Sequence, residues 1–193
     1  MKYSSLIIKL VTLSMLLASI FFTVNIIKMK NKFKTSSSDT VIKSGARGII
    51  IKIIDGDEVV FKDDSGTRII RLLGIKSFDT SINDKQTESI SRFNFLYLKN
   101  KTENKEVTLI FDHYKVDKAK RLLSYVELDG NDIGLELVKQ GLTLVFTKYS
   151  FSKESIYIKY EKEARKDGVG LWGIEKLVNR VDKLKQIWNK KRK

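Results

Sequence analysis

Chemistry in this chain falls to carboxylates, amines and guanidiniums, because the other common reagents are scarce or missing. The 193 residues contain no cysteine, which removes thiolate nucleophiles, disulfides and cysteine–zinc sites. A single histidine, His113, argues against a histidine-rich metal site and against a Ser-His-Asp triad. With no proline at all, turns must rest on glycine, asparagine and aspartate. Against these absences stand 37 Lys and Arg and 23 Asp and Glu. Of these, arginine has a planar fork that donates two parallel hydrogen bonds and never loses its proton.

The formal charge of +14 sits mainly at the ends of the chain. Residues 1–45 carry seven Lys against one Asp, and residues 174–193 carry eight basic side chains against two acidic ones. Residues 46–173 hold 22 basic and 20 acidic residues. A basic tail attracts nucleic acid and anionic lipid alike, so charge alone does not choose the partner. Hydrophobic residues at 42% and charged residues at 31% suit one domain of ordinary size with appendages, and argue against wholesale disorder.

The first appendage is residues 1–30. Residues 10–27 are an apolar run broken only by Thr, Ser and Asn25. As a helix the run would span roughly 27 Å, close to the ~30 Å hydrocarbon core of a bilayer. Lys9 lies within reach of the interface. An uncleaved transmembrane anchor is expected; a cleaved signal peptide and a buried helix are the alternatives. Residues 31–45, rich in Ser, Thr and Lys, read as a flexible linker.

In the body of the chain, strands are expected over 47–54, 59–62, 67–75, 106–111 and 122–128, and helices over 84–101, 132–140 and 153–166. The first strand stops at Asp55-Gly56-Asp57 and the second at Asp63-Asp64-Ser65-Gly66, both good turn sequences. Strands first, then a helix, two more strands and further helices suit an α+β fold in which helices pack on a small closed barrel. Leu171 and Trp172 read as core, and His113 as a loop side chain.

Three segments, in this order, resemble the staphylococcal nuclease (thermonuclease) family. The first is Ile54-Asp55-Gly56-Asp57 followed by Arg71-Leu72-Leu73-Gly74-Ile75. Next comes Asp117-Lys118-Ala119-Lys120-Arg121-Leu122, leading into Asp129-Gly130, Leu137-Val138 and Gln140-Gly141-Leu142. The third is Ala164-Arg165-Lys166-Asp167-Gly168-Val169-Gly170-Leu171-Trp172-Gly173. The resemblance implies a five-stranded OB-fold β-barrel with three packed helices over 46–173, and hydrolysis of DNA or RNA phosphodiesters. It further implies a Ca²⁺ ion held by two aspartates and a backbone carbonyl, two arginines on the phosphate, and a glutamate that orients or deprotonates the attacking water.

Carried onto this sequence, the resemblance makes Asp57 the first metal ligand and Arg71 and Arg121 the phosphate-gripping pair. Asp55 helps shape the same turn, and Lys118 falls where the family often has a basic residue near the substrate's other phosphate. Two positions depart from the pattern. Lys76 stands where the second calcium-binding aspartate is expected, a swing of two charge units that weakens a Ca²⁺ site. Asp79 replaces the catalytic glutamate with a side chain shorter by over ~1 Å, and such a misplacement can cost ~10²-fold in rate. Ser77 still offers its backbone carbonyl, and Mg²⁺ or Mn²⁺ remains an alternative metal. Asp57 also reads as a turn residue, and either arginine as a structural ion-pair partner.

Two functions follow. One is a membrane-tethered nuclease acting on DNA or RNA through Arg71, Asp79 and Arg121. The other is a degenerate domain that binds nucleic acid or a protein without cutting. Lysine counts around the apolar run favour a cytoplasmic domain, whereas exported relatives of the family favour an extracytoplasmic one, secreted if the run is cleaved. The expectation adopted is a membrane-anchored, extracytoplasmic domain. Residues 174–193 form a basic amphipathic helix, read either as packed on the barrel or as lying on anionic lipid or nucleic acid.

Overall fold

The structure is a computed structural model, and it describes residues 2–32, 42–78, 85–113, 115–117 and 119–192. The chain divides into two units, Met1–Ser36 and Ser37–Lys193. The first contains helix α1, Lys2–Lys32, so the expected helix is present and longer than the apolar run. Among the described residues no helix is long and apolar enough to cross a membrane. The membrane span expected of residues 10–27 is therefore not supported.

The second unit is built on a barrel. Strands β1 (Ala46–Asp55), β2 (Glu58–Asp63) and β3 (Gly66–Leu72) form an antiparallel meander, and β5 (Glu106–Ile110) and β6 (Leu122–Leu128) an antiparallel pair joined to β1. A parallel pairing of β3 with β6 closes the ring. The result is the expected five-stranded mixed barrel, with no free edge between its first and last strands. A short strand β7 (Asn131–Asp132) turns back to pair antiparallel with the end of β6.

Closure shows in the register of β1. Ile50 and Ile53 are both buried although they are three residues apart, which a regular period of two forbids. Irregularities in the β1–β2 register between Ile50 and Lys52, and between Ile53 and Asp55, reset the alternation and bend the strand round the barrel. Inside, Ile50, Phe61, Ile70, Leu109, Leu137 and Tyr157 are all inaccessible to solvent, each worth about 1.5–3 kcal/mol in transfer free energy.

Helix α2 (Lys85–Thr102) follows the short strand β4 (Ile75–Lys76), α3 (Ile133–Lys139) follows β7, and α4 (Glu154–Lys166) precedes a 3₁₀ turn at Gly170–Gly173. Asp132 caps α3 by accepting a hydrogen bond from the Leu135 N–H at 3.2 Å. Leu171 and Trp172 are buried as expected, in a second cluster with Phe78, Ile90 and Leu144. The C-terminal helix α5 (Glu175–Lys190) buries Leu177 and Val181 in that same cluster. It is held further by Arg165 on Asp182 at 2.7 and 2.8 Å, by Lys185 on Glu161, and by Arg192 on Glu154. Of the two readings of this basic helix, the structure has the packed one.

One strand differs from expectation in a way that matters. The third strand does not run on to Ile75; it stops at Leu72. Gly74 then takes a φ of +83°, open to glycine at no steric cost, and a Cβ there would lie 2.6 Å from the Phe151 ring. The chain turns into a separate strand β4 (Ile75–Lys76), which pairs with β8 (Leu144–Val145). This turn brings Lys76 and Ser77 back towards the β1–β2 hairpin.

Candidate active site

The β1–β2 hairpin begins the site. Asp55 accepts a hydrogen bond from the Asp57 N–H at 2.9 Å, an Asx turn that tightens the bend. Between them, a Cβ on Gly56 would sit 2.2 Å from Nδ2 of the buried Asn94, so any larger residue would have to displace that side chain. Asp57 points inward and is wholly inaccessible to solvent. One of its oxygens accepts from Arg71 Nη1, and the other from the Ser77 N–H at 2.6 Å. The Lys76 ammonium lies 4.0 Å from that second oxygen.

Strand register adds a third carboxylate. Glu58 pairs directly with Arg71 across β2 and β3, so their side chains leave the sheet on one face. Arg71 Nη1 lies 3.4 Å from Glu58 Oε1. Arg121 arrives from the turn before β6. Asp117 holds that turn by accepting from the Ala119 N–H at 2.8 Å and the Arg121 N–H at 3.0 Å, and it orients the guanidinium by accepting from Arg121 Nε at 2.7 Å. Arg121 Nη1 then donates to the same Glu58 Oε1. Two guanidiniums, one from β3 and one from the turn before β6, thus converge on one carboxylate oxygen.

The charge count follows. Among the described residues, Asp55, Asp57, Glu58 and Asp117 are offset by Arg71, Arg121 and Lys76. The imbalance falls on Asp55. Burial, and then the neighbouring Asp57 carboxylate, push its carboxyl up to about 6. Oxygens of Asp55, Asp57 and Glu58 lie within 4.8 Å of one another. Such hard donors with uncompensated negative charge fit a divalent cation, although Arg71, Ser77 and Lys76 already surround Asp57.

A carboxyl whose folded-state pKa lies above its unfolded value destabilises the fold when ionised, and the penalty grows as pH rises from about 4 to 6. Asp55→Asn keeps an acceptor for the Asp57 N–H and removes that penalty. In EDTA it should stabilise the protein by about 1 kcal/mol at pH 7, after discounting for solvent screening at a half-buried site, and by nothing at pH 4. Thermal unfolding at the two pH values checks this; equal gains at both would contradict it.

Asp57, Arg71, Arg121 and Lys76 therefore meet in one place. Asp79 and Lys118 lie outside the described residues. Sequence reading missed Glu58 and Asp117. The signal for Glu58 was its place in the hairpin, since a tight turn at 55–58 sets it opposite Arg71. Asp117, four residues before Arg121, had the spacing to hold it. His113 is 86% exposed at the side chain, a loop residue as expected.

The same stretch of chain matches known proteins. Residues 69–173 match the model of the staphylococcal nuclease homologue family, more than half of the chain. The chain belongs to the staphylococcal nuclease family. A thermonuclease of Staphylococcus intermedius is 27% identical over 168 residues, 85% of this chain and 98% of that protein. A thermonuclease of Staphylococcus hyicus is 23% identical over 124 residues, 64% of this chain and 73% of that one. An uncharacterized endonuclease of Haemophilus influenzae is 27% identical over 124 residues, 64% of each chain. In this staphylococcal nuclease domain the family match covers Arg71 and Arg121, and starts beyond the Asp55–Glu58 hairpin.

Proposed function

We propose that this staphylococcal nuclease domain, an OB-fold barrel by its resemblance, hydrolyses phosphodiester bonds of DNA or RNA. The observation that carries the reading is the convergence of Arg71 and Arg121 on a single anionic oxygen. A phosphate oxygen has the charge and hydrogen-bonding habit of the carboxylate oxygen now there. Two fixed guanidiniums can hold the phosphate in one orientation and neutralise the charge that builds on it as water attacks, an effect worth several kcal/mol of barrier. Asp57 fixes Arg71 from behind, and Asp117 fixes Arg121, so little reorganisation is needed when substrate arrives. Asp79 is assigned the water, as its place in the family pattern suggests. Asp55, Asp57 and Glu58 would hold a divalent cation, which when bound adds positive charge beside the phosphate.

A second reading is a domain that binds nucleic acid without cutting it. Lys76, 4.0 Å from Asp57, favours this, because its ammonium stands where the family pattern has a metal-binding carboxylate. Incubating the full-length chain with single-stranded DNA and RNA in Ca²⁺, Mg²⁺, Mn²⁺ or EDTA separates the two. Cleavage is expected with at least one metal and none in EDTA. Binding without cleavage in every condition would leave only the second reading, and that binding should weaken steeply with salt.

A further inference from the structure

We propose that Glu58 is an internal stand-in for the substrate phosphate, and that nucleic acid must displace it to reach the two arginines. The proposal rests on the phosphate-binding role given above to Arg71 and Arg121, and goes beyond it by assigning a competitor for that seat. Three observations carry it. A single oxygen, Glu58 Oε1, accepts from both Arg71 and Arg121, so the carboxylate sits at the point where the two forks converge rather than beside one of them. Each guanidinium also has a second carboxylate of its own, Asp57 for Arg71 and Asp117 for Arg121. Those contacts orient the arginines without Glu58, so removing it does not unmoor them. Finally, the Glu58 side chain is 13% exposed and a carboxylate oxygen of it lies within 4.8 Å of oxygens of Asp55 and Asp57, so it can leave the arginines for the cation position without unfolding the hairpin.

The physical consequence is competition. With Glu58 seated, both arginines already face carboxylates, and the site has no net positive charge to draw in a phosphate. An incoming phosphate exchanges one set of charge-assisted hydrogen bonds for another, and the net gain is reduced by the set it breaks. Glu58 thus sets the affinity of the site, and it weakens without abolishing the binding of small anions, which gain no contact beyond the one exchanged. Chains carrying several phosphates gain further contacts elsewhere and overcome it.

Titration of the full-length chain with inorganic phosphate in EDTA at fixed ionic strength, followed by calorimetry, tests this on three proteins. Glu58→Gln keeps the shape and lowers the charge, and should bind phosphate about tenfold more tightly than the unmutated chain, the scale of one charge-assisted hydrogen bond no longer exchanged. Arg121→Ala should bind more weakly. Unchanged or weaker binding by Glu58→Gln, with weaker binding by Arg121→Ala, would overturn the stand-in role and leave the arginines as the phosphate site. No change in either variant would overturn the phosphate site itself, and the stand-in with it. A measurement on the unmutated chain is independent of how the variants fold. The Glu58 side-chain carboxyl ¹³C resonance should move as phosphate saturates the protein, and a resonance that stays put would also overturn the proposal.

Discussion

Replacing Arg71 with Ala is expected to lower nucleic-acid cleavage by at least ~10³-fold and to destabilise the fold by about 3–5 kcal/mol. Both effects come from one position. Arg71 is only 8% exposed and donates to Asp57, which is wholly buried. Removing the guanidinium leaves the buried carboxylate with only the Ser77 N–H and the more distant Lys76 ammonium, and on the proposed function it also deprives the phosphate of one of its two forks. Arg71→Lys separates the contributions. An ammonium restores charge near Asp57 and should recover much of the stability, but a point charge cannot reproduce the fork. Its cleavage rate should stay at least ~10²-fold below that of the unmutated chain. Urea unfolding and initial rates on one set of samples check the pair. Near-normal cleavage by Arg71→Lys would mean that Arg71 supplies charge alone.

The second large effect is expected from Lys76→Asp. The Lys76 ammonium lies 4.0 Å from an Asp57 oxygen and is 40% exposed at the side chain, so the position faces the carboxylate cluster from its open side. Exchanging it for a carboxylate removes a repelling cation and adds a hard oxygen donor. Calcium affinity should rise by about 10²-fold, since carboxylate count sets affinity at such sites. Without metal the variant should be less stable by about 1–2 kcal/mol, because a further negative charge joins Asp55, Asp57 and Glu58. Saturating Ca²⁺ should reverse that loss by mass action. Calorimetric titration with Ca²⁺ measures the first effect, and thermal unfolding with and without Ca²⁺ the second. An unchanged affinity would place the cation away from Lys76.

The barrel was legible because its strands announce themselves. Ile-rich and Val-rich runs end in Asp-Gly turns, and local pattern is enough to place such elements. The break after Leu72 was not legible. Leu73-Gly74-Ile75 continues an apolar run, and only the tertiary contact of Gly74 with Phe151 and the pairing of Ile75 with Val145 turn the chain. In the site, Asp57, Arg71 and Arg121 could be named from the order and spacing of motifs, and they do converge. Glu58 could not be named that way, because it belongs to no motif, and Asp117, though it opens the second motif, was given no role there. Their places come from cross-strand register and from a turn whose hydrogen bonds close only in three dimensions. Lys76 was identified as a departure from the family pattern, but its 4.0 Å approach to Asp57 depends on the Gly74 turn.

The claim on which the rest depends is that Arg71 and Arg121 grip the same phosphate. Side-chain ¹⁵N–¹H resonances of the arginines, followed while single-stranded DNA is added to the full-length chain in EDTA, test it most directly. Arg71 and Arg121 should shift together with one common Kd, while Arg68, paired with Asp63, and Arg165, paired with Asp182, stay still. Movement of only one of the two, or of neither at saturating DNA, would contradict the shared grip.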